Sequence, residues 1–278
     1  MSSQGDSTWP LPSMLTAAGL DTVEGTFAYS SGRDITVVGL GHRQRWTLTL
    51  SDPAGQPQLL FMKRYGREPL KWRLQRRFTY GRGGSPASVE LNNIHAAHVA
   101  GVPTIDQAAG GHELGPLGAR RSYIIMTTVA GEALEQCAEG FVALHGLGSC
   151  EVAQFTRDLA QLVRRFHQTG YVHRDLYTSH IFMVTRPGGV ELRLIDLARM
   201  FAPSWRRFRW RVKDLAQLKY SMPPGWVDRH WNLFMASYLK DRSSRARWRY
   251  ERAVDRKIVS ITQHVERKRR RKARRERV

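Results

Sequence analysis

The chain has 278 residues, 41% of them hydrophobic, which is enough to fill one large domain or two lobes. Its formal net charge of +20 indicates an anionic partner, which can be nucleic acid, a membrane surface or a phosphorylated substrate. Two cysteines, Cys137 and Cys150, exclude a disulfide framework and fit a reducing cytoplasm. No stretch resembles a signal peptide or approaches the roughly 18 apolar residues of a membrane span, so we expect a soluble or peripheral protein.

The first half of the chain predicts a small antiparallel sheet and one helix. After a polar leader over residues 1–30, turn residues separate three apolar or β-branched runs that predict consecutive strands: ITVVGL, RWTLTL and QLLFMKR. The basic, aromatic stretch EPLKWRLQRRFTY indicates a surface insertion. A helix is predicted from Ala87 to Ala100, and SYIIMTTV predicts a buried strand. We expect this N-lobe to span residues 31–129.

The second half predicts mostly helices. The pattern from Glu151 to Gln168 places apolar residues three and four apart, as on one face of a helix. Two short strands joined by the turn RPGG follow, and then helices over about 207–220, 227–240 and from Ser244 onward. These elements predict an α+β fold with a helical C-lobe over residues 130–243 and a basic C-terminal helix or tail over 244–278.

One motif and its spacing point to phosphoryl transfer. His173-Arg174-Asp175 follows a predicted helix, and Asp196 ends an apolar strand 21 residues after Asp175. This is the order of a kinase catalytic loop and its metal-binding aspartate. Phosphoryl transfer needs one carboxylate to orient the attacking hydroxyl, another for magnesium and cations on the phosphates. Asp175, Asp196 and Lys63 are the candidates, and Glu90 on the following helix is placed to pair with Lys63.

Two further features have two interpretations each. The turn that contains Gly39 and Gly41 either covers nucleotide phosphates with backbone N–H groups or is a plain hairpin turn. Asp214 is either a buried carboxylate that accepts N–H bonds from the catalytic loop or a helix-start carboxylate favoured by the helix dipole.

Several segments resemble the lipopolysaccharide core heptose and Kdo kinase family. HRDLYTSHIFM, LRLIDLAR and KDLAQLKYS resemble its C-lobe, and LLFMKRY, ASVELNNIHAAHVAGVPT and SYIIMT its N-lobe. The resemblance spans about Arg33 to Tyr238. It implies a bilobal protein-kinase-like fold, ATP with Mg²⁺, and transfer of the γ-phosphoryl group to a heptose or Kdo hydroxyl of the lipopolysaccharide inner core, at the cytoplasmic face of the inner membrane.

Residue by residue, the resemblance implies that Lys63 and Glu90 serve the nucleotide phosphates, Asp175 is the catalytic base and Asp196 binds magnesium. Arg174 is then structural or faces a phosphate. Protein kinases carry Asn five residues after the catalytic Asp, whereas this chain has His180, as the lipopolysaccharide kinases do. Imidazole is a poor ligand for hard Mg²⁺, so His180 either acts through water or favours Mn²⁺.

Two basic segments predict contacts with anions. The stretch FAPSWRRFRWR interleaves aromatic residues with Arg206, Arg207, Arg209 and Arg211. These cations can bind sugar or lipid phosphates, or else they begin a solvated helix whose tryptophans are core. Between Arg242 and Val278 lie 16 Lys or Arg and 4 Asp or Glu, which is +12 of the net +20. We expect this tail to bind an anionic membrane surface electrostatically, and nucleic acid is the less favoured partner.

Two other functions compete with the glycolipid kinase. The catalytic residues alone do not specify the acceptor, so a protein or small-molecule hydroxyl is one alternative. A non-catalytic kinase-like scaffold that binds membrane or nucleic acid is the other. The presence of Lys63, Asp175 and Asp196 together argues against the scaffold.

Overall fold

The computed structural model describes residues 11–36, 41–52, 54–80, 84–116, 118–240 and 242–275. These residues form two compact units. The first contains the described residues up to His98 together with Thr104–Val129. The second contains Val99–Pro103 and the described residues from Ala130 onward.

The first unit is built on an antiparallel sheet. In the described residues it has five strands in the order β1-β2-β3-β5-β4. The strands are β1 (Arg33–Asp34), β2 (Arg43–Ser51), β3 (Pro57–Tyr65), β4 (Ala108–Gly115) and β5 (Gly118–Thr127). Strands β2, β3 and β5 confirm three of the predicted strands. The remaining one, ITVVGL, starts just after β1, and its residues 37–40 lie outside the described residues.

One face of this sheet is covered by the start of the described chain. Helices α1 (Leu11–Ala17) and α2 (Val23–Ala28) place Leu11, Leu15 and Leu20 in one apolar cluster with residues of β2, β3 and β5. Each of these three leucines is 1% exposed. Residues 11–28, which the sequence suggested to be a polar leader, therefore contribute to the core of the first unit.

Strand β4 was not predicted, because its sequence AAGGHELG is rich in glycine and poor in β-branched residues. The two central glycines explain how it pairs. A Cβ atom on Gly110 would lie 2.5 Å from the carbonyl oxygen of Tyr123 on β5, and one on Gly111 would lie 2.9 Å from the Tyr123 ring. The bare backbone lets β4 lie against β5 where a side chain would collide.

Two further helices complete the first unit. Helix α3 (Leu70–Tyr80) is the segment predicted as a surface insertion, and its Arg73 donates to the carbonyl oxygens of Gly118 and Ala119. Helix α4 (Pro86–Val99) agrees with the predicted helix to within one residue at each end. It starts at Ser85, whose Oγ accepts from the backbone N of Ser88 at 3.0 Å. This helix carries Glu90 into the unit's interior, where it is 0% exposed.

The second unit is mainly helical. Its helices are α5 (Leu134–His145), α6 (Cys150–Gln168), α7 (Arg207–Ser221), α8 (Pro224–Tyr238) and α9 (Ser244–Arg275). A small antiparallel sheet in the order β6-β7-β8 joins β6 (Glu132–Ala133), β7 (Ile181–Arg186) and β8 (Gly189–Leu194). The α+β class that the sequence predicted is confirmed. Within the described residues, no helix combines the length and hydropathy needed to cross a membrane.

Helix α6 is the central element of the second unit. Ser149 caps its first turn by accepting from the backbone N of Val152 at 3.1 Å, and the predicted apolar face is buried. Trp226 of α8 packs edge-on against Phe155 and donates its indole N–H to Thr156 Oγ1 at 3.0 Å. These contacts fix the N-terminal half of α6. The His173-Arg174-Asp175 loop follows the other end of this helix.

Candidate active site

The loop that follows α6 is held by one buried carboxylate. Asp214 lies in the middle of α7 and is 0% exposed. Its Oδ2 accepts from the backbone N of His173 at 2.7 Å, and its Oδ1 accepts from the backbone N of Arg174 at 2.8 Å. The first interpretation of Asp214 is therefore confirmed. The helix-start interpretation is wrong, because α7 begins seven residues earlier, at Arg207.

Arg174 is turned into the second unit by its backbone conformation. Its φ angle is +72°, in the left-handed region that non-glycine residues adopt only at an energetic cost. Its guanidinium lies 5.3 Å from the ring centre of Phe201 and 5.5 Å from that of Trp210. Lys213 Nζ donates to the Arg174 carbonyl oxygen. Arg174 thus anchors the loop through cation–π contacts, and Trp210 is part of that anchor.

His173 joins the loop to the strand that leads to Asp196. Its Nε2 lies 3.0 Å from the Ile195 carbonyl oxygen, which can only accept, so Nε2 carries the proton. The imidazole is fully buried, and this burial lowers its pKa, although the Asp214 carboxylate acts in the opposite direction. A neutral His173 therefore fits its surroundings, and its role is structural.

Asp175, the predicted catalytic base, is paired with Arg199, a cation that the sequence analysis missed. Arg199 Nη1 lies 2.9 Å from Asp175 Oδ1 and 2.6 Å from Oδ2. The side chains of Asp175 and Arg199 are 23% and 54% exposed, so the pair is open to solvent. Burial lowers the pKa of the Lys213 ammonium, while the charge of Asp175 acts to raise it. The Asp175 carboxylate is thus paired with a guanidinium that is open to solvent.

Asp196 and His180 lie side by side. His180 Nδ1 is 2.7 Å from the Asp175 carbonyl oxygen, so Nδ1 donates there and Nε2 points elsewhere. Nε2 is 3.6 Å from Asp196 Oδ2. Two atoms with lone pairs face each other at this distance, and either a proton or a metal cation between them relieves the repulsion. Asp196 itself has φ +57°, at the start of the short turn Leu197–Arg199.

The fit of a metal ion to this pair is partial. In the part of the chain that the structure describes, no group of three or more His, Cys, Asp or Glu side chains is placed to hold a metal. Asp196 and His180 supply two ligands. Mg²⁺ commonly binds through one or two protein ligands, with water and substrate phosphates completing the shell. The two residues therefore fit a nucleotide-bound Mg²⁺ rather than a permanent metal centre.

In the first unit, the predicted pair of Lys63 and Glu90 is present. Lys63 Nζ lies 2.7 Å from Glu90 Oε1, and both residues are buried, at 7% and 0% exposure. Tyr65 supports the pair, because its hydroxyl donates to Glu90 Oε2 at 3.2 Å. The sequence analysis missed Tyr65, although its position two residues after Lys63 places it on the same side of β3. A charged pair this deeply buried must keep its geometry to offset the loss of hydration.

Only one of the two glycines assigned to the nucleotide lies within the described residues. Gly39 lies outside the described residues. Gly41 is in the turn before β2 with φ +62°, and a Cβ atom there would contact nothing within 4 Å. The left-handed backbone, rather than a lack of space, therefore favours glycine at position 41. Its contact with phosphate stays a prediction.

Three of the four arginines assigned to the acceptor, Arg206, Arg207 and Arg209, are exposed at the start of α7, whereas Arg211 is half-buried. The Arg206 guanidinium lies 4.1 Å from the ring centre of Trp205, which is 65% exposed. Arg207 Nε donates to the Pro203 carbonyl oxygen at 3.1 Å, while Arg209 extends from the first turn of α7. The neighbouring aromatics Phe208 and Trp210 pack against Tyr250 and Phe201. The segment is therefore part packing and part exposed cationic surface, and its role toward an acceptor stays a prediction.

Comparison with known proteins decides the family. A model of the lipopolysaccharide kinase (Kdo/WaaP) family matches residues 40–238. The chain belongs to this family. A solved structure described as WaaP in complex with acyl carrier protein matches with a TM-score of 0.67 and 24% identity, covering 90% of this chain and 97% of that one. At this identity the match shows the fold. No curated protein matches this chain.

The family and the fold that the sequence predicted are thereby confirmed. Kdo/WaaP family membership makes the chain a kinase, which implies phosphotransferase chemistry with ATP as donor.

The hydrogen bonds that Asp214 accepts from the loop predict what happens when Asp214 is replaced by asparagine. In Asp214→Asn one acceptor oxygen becomes an NH₂ group, so one buried N–H of the loop loses its partner. We expect the free energy of unfolding to fall by about 1–3 kcal/mol. Urea unfolding measures this change, with Asp228→Asn on the exposed surface of α8 as the control. Equal stability of the two variants would contradict the role of Asp214.

Proposed function

We propose that this chain is an ATP-dependent kinase that transfers the γ-phosphoryl group to a heptose or Kdo hydroxyl of the lipopolysaccharide inner core. The observation that carries the proposal is the position of Asp175 on a loop fixed by Asp214, with His180 and Asp196 beside it. The family match supports the glycolipid acceptor over other hydroxyls.

In this proposal Asp175 orients the acceptor hydroxyl and takes its proton as the oxygen attacks the γ-phosphorus. The bond from the γ-phosphorus to the bridging oxygen breaks, and ADP leaves with the negative charge. For the hydroxyl to reach Asp175, it must displace one of the N–H contacts from Arg199. Arg199 is half exposed, so its guanidinium can turn toward the transferring group, where positive charge stabilises the transition state.

Lys63 and Asp196 have separate roles in this proposal. Glu90 and Tyr65 fix the Lys63 ammonium, so that it can bind the phosphates without a large loss of side-chain entropy. Gly39 and Gly41 would cover the phosphates through backbone N–H groups. Asp196 and His180 would hold Mg²⁺, which neutralises charge on the phosphates when bound. The imidazole ligand gives Mn²⁺ a relative advantage at this site.

The acceptor surface that we propose is the start of α7. Arg206, Arg207 and Arg209 provide guanidinium groups that can bind the phosphates of a lipid A core. Trp205 is exposed beside them and can stack on a sugar face. The segment from Met200 to Lys213 contains no Asp or Glu, so no neighbouring carboxylate in sequence competes for these cations.

Transfer of labelled phosphate to purified core lipopolysaccharide tests the proposal. We expect the purified chain to label the glycolipid with [γ-³²P]ATP, and Asp175→Asn to lower the rate by about 10²–10⁴-fold, because a positioned general base contributes that much. Asp228→Asn, a charge-matched change on the surface of α8, keeps the wild-type rate. Mass spectrometry then locates one added phosphate on the core oligosaccharide.

Three outcomes would separate the alternatives. Label on protein instead of glycolipid would favour a protein acceptor, and label on a soluble sugar would favour a small-molecule acceptor. If Asp175→Asn kept full biological activity in cells, the chain would act as a non-catalytic scaffold. Each of these results would contradict glycolipid phosphorylation by Asp175.

We also propose that the protein is cytoplasmic and binds the inner membrane peripherally through the end of α9. Between Glu266 and Arg275 this helix contains eight Lys or Arg and one Glu, and it has almost no apolar residues there. Attraction to anionic lipid is therefore electrostatic, about 1 kcal/mol per basic residue near the surface, and falls with salt.

By comparison with the WaaP structure, an acyl carrier protein is a second candidate partner.

Vesicle flotation tests the membrane proposal. We expect binding to vesicles containing anionic phospholipid at low salt, with loss at high salt and no binding to neutral vesicles. Replacing Arg267, Lys268, Arg269 and Arg270 with Gln removes four charges and should abolish most of the binding. Replacing the three arginines with Lys keeps the charge and should preserve it. Binding that resists high salt, or that persists in the Gln variant, would contradict an electrostatic attachment by this segment.

A further inference from the structure

A separate cavity in the second unit is lined by side chains of helices and their connections behind the catalytic loop. Its volume is about 310 Å³. The residues that matter come from α6, α7, the end of α8, the connection that follows it and the start of α9. They are Arg164, His167, Arg211, Tyr238, Arg242 and Tyr250. Apart from Arg211, none of the residues assigned above to nucleotide, metal or acceptor lines this cavity.

The charge of the cavity wall has one sign. Three guanidinium groups line it, and no Asp or Glu is among its lining residues in the described part of the chain. Arg211 Nη2 donates to the His167 carbonyl oxygen at 2.7 Å, so one edge of this guanidinium is fixed. Like charges that converge on a small space repel each other unless an anion lies between them. The wall therefore favours a ligand with negative charge.

The floor of the cavity is rigid. His167 and Tyr238 are buried, at 1% and 6% exposure, and His167 Nδ1 lies 2.8 Å from the Tyr238 hydroxyl. His167 Nε2 lies 3.2 Å from Asp214 Oδ2, so it donates there and Nδ1 accepts from the phenol. The Tyr250 ring packs edge-on against Tyr238. Burial also raises the pKa of the Tyr238 phenol, which therefore keeps its proton and adds no negative charge to the wall.

The size of the cavity limits the class of ligand. A volume of about 310 Å³ is far above the roughly 30 Å³ that one water molecule occupies and is at the lower end of small-molecule sites. It has room for a phosphate, a diphosphate or a phosphorylated small group. Arginine forks match phosphate oxygens in geometry as well as in charge.

We propose that this cavity binds a phosphate-bearing small molecule through Arg211 and Arg242. Arg211 is oriented by the His167 carbonyl, and Arg242 approaches from the connection between α8 and α9. The site is distinct from the proposed active site and does not depend on kinase activity. His167 connects its floor to Asp214, the residue that holds the catalytic loop.

Calorimetric titration of the full chain with inorganic pyrophosphate tests the proposal. EDTA is present, so that metal-dependent binding of pyrophosphate at the proposed nucleotide site does not contribute. We expect saturable binding to one site, and we expect Arg242→Gln to weaken it by about tenfold or more, because a hydrogen bond to a charged group is lost. Arg157→Gln removes the same charge from an exposed position on α6 and should leave the affinity unchanged.

Lys63→Met separates this site from the proposed nucleotide site. Loss of binding in Lys63→Met would place pyrophosphate at the proposed nucleotide site and overturn the proposal. The absence of a saturable heat signal in the wild type would also overturn it. Equal weakening in Arg242→Gln and Arg157→Gln would show attraction to net charge alone and would also overturn it. If Arg242→Gln unfolds at the same temperature as the wild type, its loss of affinity is not caused by unfolding. Arg211→Gln provides the second cavity variant and should weaken binding in the same way.

Two further probes distinguish a soluble sugar phosphate from a lipid headgroup as the ligand of the cavity. Glucose 1-phosphate represents a soluble sugar phosphate, and dihexanoyl phosphatidic acid represents a lipid headgroup. Tighter binding of the first assigns the cavity to soluble metabolites, and tighter binding of the second assigns it to lipid. In both cases the loss of affinity must follow Arg242→Gln, and a probe that binds equally to that variant is bound elsewhere.

Discussion

The candidate active site depends on the buried carboxylate of Asp214. It accepts the backbone N–H groups of His173 and Arg174 and lies within hydrogen-bond distance of His167 Nε2. Buried N–H groups without acceptors are costly, and a buried carboxylate without donors is more so. Each therefore requires the other. This mutual requirement explains how the loop can keep Arg174 in a left-handed conformation that it would not adopt alone.

The chemical groups of the second unit are positioned from this anchor outward. Once the backbone of His173 is fixed, its imidazole reaches the Ile195 carbonyl and so locates the residue before Asp196. The backbone N of Ile195 donates to the His180 carbonyl at 3.0 Å, which keeps His180 beside Asp196. The first unit follows the same logic with a different pair, since the buried Glu90 carboxylate orients Lys63. In each unit a buried carboxylate fixes part of the candidate site: Asp214 fixes the loop that carries Asp175, and Glu90 fixes Lys63.

The sequence was informative where the signal is local. Apolar runs and the spacing of charged motifs predicted β2, β3, β5, α4, α6 and the pairing of Lys63 with Glu90. The sequence was uninformative where a contact between residues far apart in the chain determines the structure. Strand β4 forms because Gly110 and Gly111 fit against β5, which no propensity reveals. Arg199 pairs with Asp175 only in the folded chain, and Leu11 and Leu15 join the core from a segment that the sequence analysis assigned to a polar leader.

Hydrogen exchange at two backbone amides tests the central claim most directly. If the Asp214 carboxylate holds the catalytic loop, then the amides of His173 and Arg174 exchange as slowly as those in the buried face of α6, and they open only when the second unit unfolds. Nuclear magnetic resonance on the wild-type protein measures both rates at single-residue resolution. Exchange at the rate of an exposed loop amide at either position would contradict the account.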